Sequence, residues 1–140
     1  MKLFSQTVFQ RFGKANAKQR GRIGPDSSVE RQYMIGPNMN FASAEAYKLL
    51  RTNLLFSFSG SSECRVIGLT SSFSSEGKSL TSINLAYTMA EAKKNTLLIE
   101  GDMRLPTLNK RLVLSASPGL SNLLVGMSTA GEAVQTFRAS

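Results

Sequence analysis

Apolar positions along the chain fall into three regimes. Leu3, Phe4, Val8, Phe9 and Phe12 recur at the spacing of one helix face, flanked by Lys2, Arg11 and Lys14. Over residues 15–40 that period fades, while Gly21, Gly24-Pro25, Ser27-Ser28 and Gly36-Pro37 accumulate. Such a stretch predicts a linker or a loosely docked extension. From Ser43 the helical period returns, with Ala46, Leu49, Leu50 and Leu54 as the apolar stripe. Ser43 suits the N-cap, and Glu45 complements the dipole in the first turn. Ser59-Gly60-Ser61-Ser62 should end this helix.

Beyond it, residues 66–69 form an apolar run read as a strand, and residues 96–99 a short continuous apolar run of the kind found in a parallel strand covered on both faces. Between them, residues 78–93 read as a helix, with Leu80, Ile83, Asn84, Ala86, Tyr87 and Ala90 available for packing. Lys93-Lys94-Asn95 favours the C-terminus of that helix. Strand, loop, helix and strand predict a right-handed βαβ unit. Pro106 and Pro118 break the remaining chain into short helical turns at 107–112 and 119–125, with the beginning of another element at 129–137. The expected fold class is α/β: a three-layer parallel sheet with helices on both faces, here truncated. Two strands alone make a marginal sheet. The expected division is a basic arm and linker over 1–42 and the α/β domain over 43–140.

Composition changes this picture mainly at the N-terminus. Of 17 basic and nine acidic residues, seven basic and two acidic fall within the first 35, so most of the +8 net charge belongs to the arm. Basic arms attract phosphate, in nucleic acid or in anionic lipid, although blocks of like charge are often simply solvated. The amphipathic segment suits a membrane surface, a partner protein, or the chain's own domain. A nucleic-acid partner is disfavoured, because no stacking platform or recognition helix accompanies the charge. With one cysteine, Cys64, and no histidine, an internal disulfide and a Cys/His zinc site are excluded. No apolar run is long enough to span a bilayer.

Candidate chemistry sits between the two apolar runs. Residues 70–79 read Thr-Ser-Ser-Phe-Ser-Ser-Glu-Gly-Lys-Ser, a small-residue loop opening a helix. This is the order of a phosphate-binding P-loop, in which backbone N–H groups and the helix N-terminus face a polyphosphate. Ser74, Ser75, Glu76, Gly77, Lys78, Ser79 and Leu80 would form the cradle. Lys78 would reach the β- and γ-phosphates, and Ser79 would ligate Mg²⁺. Ser72 stands at the first glycine position of the motif, which it can occupy only where the backbone avoids positive φ. Glu100 and Asp102 end the second apolar run, where the topology would bring them toward the phosphates. Asp102 would hold the metal together with Ser79, and Glu100, Asp102 and Lys78 form the candidate catalytic set. Arg104 could contact phosphate or brace Asp102. On helix 43–56, Glu45, Lys48 and Arg51 lie three apart, available for local pairs or as a charged row for another subunit.

Taken jointly, these segments resemble the bacterial tyrosine kinases of capsule and exopolysaccharide systems. The resemblance covers residues 45–126 and rests on Glu45-Ala-Tyr-Lys-Leu-Leu-Arg-Thr-Asn53, the loop 70–79, Ser82-Ile-Asn-Leu-Ala86, Leu97-Leu-Ile-Glu-Gly-Asp-Met-Arg104 with Pro106, and Pro118-Gly-Leu-Ser-Asn-Leu-Leu-Val-Gly126. It implies a P-loop NTPase domain and an ATP- and Mg²⁺-dependent kinase that phosphorylates tyrosines in its own C-terminal cluster and in neighbouring subunits. It also implies a transmembrane polysaccharide co-polymerase or activator as partner, ring-forming homo-oligomers, protein tyrosine substrates, and a cytoplasmic place at the inner face of the plasma membrane. Lys78 and Ser79 fall in its Walker A loop, Glu100 and Asp102 in its Walker A′ motif, and Glu45, Lys48 and Arg51 on its assembly row.

Three departures set limits on that expectation. Glu100 replaces the usual first aspartate, Lys48 replaces an arginine, and the Walker B strand and tyrosine cluster are missing. The chain is therefore expected to be an N-terminal fragment with little kinase activity alone. Alternatives are a catalytically deficient nucleotide-binding remnant, or a partitioning-type ATPase. Phe73 argues against the latter, because it stands where that group carries a signature lysine.

Overall fold

A computed structural model describes residue 34 and residues 39–58, 64–73 and 75–137. The amphipathic segment expected over residues 3–12 and the turn expected at 59–62 lie outside the described residues, as does Ser74 of the expected cradle.

Helix α1 spans Phe41–Ser57 and is capped by Asn40, not by Ser43. The Asn40 Oδ1 accepts the Ser43 N–H at 2.8 Å, which makes Ser43 a residue of the first turn. Asparagine and serine cap about equally well, so the earlier start adds helix without loss of cap quality. Three of the four positions of the expected stripe face the other way. Ala46, Leu49 and Leu50 are exposed, whereas Tyr47, Arg51, Leu54 and Leu55 lie on the half-buried side.

Helix α2, Lys78–Glu91, is the element around which the rest packs. Ile83, Asn84, Leu85, Ala86, Thr88 and Met89 are all buried, so apolar or small residues cover most of its circumference. Thr88 satisfies its hydroxyl on Leu85 O at 2.9 Å, as a buried polar group must. Arg51 joins α1 to α2 by donating to Thr88 O at 2.8 Å, with the Glu91 carboxylate 3.7 Å away. Lys93, at φ 60°, turns the chain out of α2.

Three short helices complete the described chain: α3, Leu108–Arg111, α4, Leu120–Leu124, and α5, Ala130–Ala133. Leu108 and Leu112 close the core with Ile83 and Met34, and Leu80, Leu98, Leu114 and Phe137 pack around them. Met34, from the expected linker, belongs to this core. Joining the segments that follow α3 and α5, Gln135 exchanges two 2.9 Å hydrogen bonds with the Ser115 backbone. In α5, Glu132 accepts from the Thr129 N–H at 2.7 Å and from its hydroxyl at 2.9 Å.

The parallel sheet is not formed. The described residues are helical and contain no strand, which overturns the expected three-layer α/β fold. Residues 96–100 keep a strand-like alternation, with Thr96, Leu98 and Glu100 half-buried and Leu97 and Ile99 exposed. Leu97 and Ile99 are 57% and 60% exposed, against the expectation that this run is covered on both faces, and Val66 of the first run is 91% exposed. The physical reason is pairing. A strand is stabilised by its neighbours' backbone groups and by layers on its faces, and two apolar runs with one covering helix provide too few of either.

Candidate nucleotide-binding site

Tight turning just before α2 builds the candidate loop. Gly77, at φ 84°, is the N-cap residue, and Ser75 takes φ 64°. These are the left-handed positions among the described residues of the loop. Ser72 is not one of them, so serine is compatible with the first position of the motif. A Cβ on Gly77 would meet nothing within 4 Å, so glycine is required there by backbone conformation and not by space.

The Lys78 side chain folds back over the loop. Its Nζ donates to Ser71 Oγ at 2.7 Å and to Phe73 O at 3.2 Å. Glu76 closes the same turn from the other side, its Oε2 accepting the Phe73 N–H at 3.1 Å. That N–H holds the Glu76 carboxyl below its usual range, with smaller contributions from the Ser71 hydroxyl and the Lys78 charge. Phe73 itself is 73% exposed.

The carboxylates expected to serve catalysis are engaged locally. Glu100 Oε2 accepts the Thr107 N–H at 3.1 Å and the Leu108 N–H at 3.0 Å, at the start of α3. Asp102 Oδ1 accepts from Arg104 N at 3.2 Å and Leu105 N at 3.1 Å, holding an exposed turn. Thr107 ties the two halves together, because its hydroxyl lies 3.4 Å from Ser79 Oγ on α2. An open cleft of about 1320 Å³ is lined by residues 64–69, 75–80 and 94–102, which brings Lys78, Ser79, Glu100 and Asp102 to one cavity.

On α1, Lys48 donates to Glu45 at 2.8 Å in the local pair that the spacing allows. That hydrogen bond, with the carboxylate's charge, raises the Lys48 pKa. Arg51, third of the same row, is turned into the α1–α2 contact.

Two residues of the site were not singled out from the sequence. Ser71 receives the Lys78 ammonium, and Thr107 bridges Ser79 and Glu100. The position of Ser71 seven residues before Lys78 carried a signal; for Thr107, only the packing of α3 against α2 could reveal the contact.

No family model and no solved structure matches the chain. Curated relatives do. A candidate tyrosine-protein kinase of Staphylococcus aureus, CapB, is 37% identical over 95 residues, 68% of this chain and 41% of the relative. The Bacillus subtilis tyrosine-protein kinase YwqD is 33% identical over 109 residues, 78% of this chain and 46% of that kinase. The Rhizobium meliloti succinoglycan biosynthesis transport protein ExoP is 30% identical over 128 residues, 90% of this chain and 16% of that protein. The chain thus spans less than half the length of these relatives. Within that span, it belongs to the bacterial tyrosine kinases of the capsule and exopolysaccharide type.

Proposed function

We propose that residues 71–80 form a nucleotide-polyphosphate cradle, and that this chain carries the ATP-binding part of a protein-tyrosine kinase serving polysaccharide production. One observation carries the reading. The Lys78 ammonium lies 2.7 Å from Ser71 Oγ and 3.2 Å from Phe73 O, directly over the turn that opens α2. A lysine in that position needs only a small side-chain movement to meet a phosphate held by the same turn. The names of the relatives support the kinase reading and the link to polysaccharide systems. A transmembrane co-polymerase partner and a cytoplasmic location belong to the same proposal. Among the described residues, no helix is long and apolar enough to cross a membrane.

The donor set also suits Mg²⁺. Among the described residues no group of three or more Asp, Glu, His or Cys could hold a metal by itself. Magnesium requires no such cage, since it is commonly held by one or two protein oxygens together with phosphates and waters. Ser79 and Asp102 are the residues that would contribute here, and the ion would neutralise phosphate charge.

Calorimetric titration of magnesium-ATP into the chain and into Lys78→Met tests the cradle. Saturable binding by the wild type should weaken about tenfold to a hundredfold in the variant, the range for losing a hydrogen bond to a charged group. Equal binding by the two would remove the proposal. One specific observation favours a second reading, a remnant that binds nucleotide without transferring phosphate: Glu100 is committed to the start of α3.

A further inference from the structure

We propose that the Glu76 side chain is an internal latch on the nucleotide cradle, occupying a backbone donor that a phosphate oxygen would otherwise take. The inference rests on the cradle reading of residues 71–80 and concerns how readily that cradle opens.

The geometry is centred on Phe73. Its N–H donates to Glu76 Oε2 at 3.1 Å, and its carbonyl accepts from Lys78 Nζ at 3.2 Å. A loop amide and the ammonium, both groups that a polyphosphate would engage, are therefore spent on the loop's own residues. A carboxylate on a loop amide is the same pairing that a phosphate oxygen makes in an anion-binding turn. The loop as folded carries an anion of its own.

Exposure decides whether such a contact blocks binding or only weakens it. Phe73, Ser75, Glu76 and Gly77 are all exposed, so the bond exchanges readily with water and costs little to break. An incoming phosphate must displace the carboxylate, and the apparent affinity falls by the fraction of time the latch is closed. The backbone of Glu76 stays part of the cradle while its side chain regulates entry.

The test compares magnesium-ATP binding by the wild type, Glu76→Ala and Glu76→Asp. Alanine removes the carboxylate. Aspartate keeps the charge but is one methylene too short to reach the Phe73 N–H. A latch predicts that both variants bind about threefold to tenfold more tightly, the value of one exposed hydrogen bond. Amide exchange at Phe73 should be faster in both than in the wild type. Tightening in alanine alone would mean simple charge repulsion and overturn the latch. Equal or weaker binding in both variants, with the wild type binding, would overturn it while leaving the cradle intact. Absence of binding in all three would defeat both readings.

Discussion

Returning Glu100 to the aspartate usual in this family should destabilise the chain. Glu100 Oε2 accepts two backbone N–H groups, from Thr107 at 3.1 Å and Leu108 at 3.0 Å. Leu108 is 8% exposed and belongs to the core with Ile83 and Leu112, so these bonds fix the start of α3 to the 96–100 segment beside that core. Aspartate withdraws the carboxylate by one C–C bond, about 1.5 Å, which stretches both contacts beyond hydrogen-bonding range unless the backbone moves with it. At about 0.5–1.5 kcal/mol per bond, discounted for half-exposure, the loss is about 1–2 kcal/mol. With a urea slope of about 1–3 kcal/mol per M, the midpoint should fall by about 0.3–2 M. Equilibrium unfolding monitored by far-ultraviolet circular dichroism would measure this in Glu100→Asp, Glu100→Gln and Glu100→Ala. Glutamine keeps an acceptor in reach and should lose least; aspartate and alanine should be similar. An aspartate variant as stable as the wild type would refute the reasoning and return Glu100 to the candidate catalytic set alone.

Arg51→Ala should lower stability by about 1–2 kcal/mol, because it removes a charged donor from the carbonyl of fully buried Thr88. Thermal unfolding at two protein concentrations would check this, and the loss should be the same at both if the residue acts within one chain. For Glu76 the sign comes from its lowered pKa. Its contact with Phe73 contributes fully above the ordinary value of 4.5 and is lost as pH falls through the lower folded value. Two-dimensional NMR of the Phe73 amide should therefore change on acidification below about pH 4.5, and Glu76→Gln should abolish that transition.

Local chemistry was the legible part of the site. Gly77-Lys78-Ser79 marked the start of α2, and the structure begins that helix at Lys78 with a left-handed Gly77. Asp102 was expected near the phosphates through a βαβ unit that does not form, and its carboxylate instead accepts from Arg104 N and Leu105 N in an exposed turn. Partnerships were less legible. Arg51 reads equally well as a surface row or an interhelical donor, and only the packing of α1 on α2 directs it to Thr88. Of the stripe at Ala46, Leu49, Leu50 and Leu54, only Leu54 lies on the half-buried side, because periodicity identifies a face without saying what covers it.

By itself the sequence determined helical segments near 43–56 and 78–93, found at Phe41–Ser57 and Lys78–Glu91, the loop between the apolar runs and the kinship that its motifs carry. Those features depend on neighbours a few residues apart. Tertiary structure decided the rest: that residues 66–69 and 97–99 form no sheet, that Glu100 is bound to the start of α3, and that Phe73 joins Glu76 to Lys78. Each is a contest among groups that could pair in more than one way, settled by which partners the packing around α2 brings within about 3 Å.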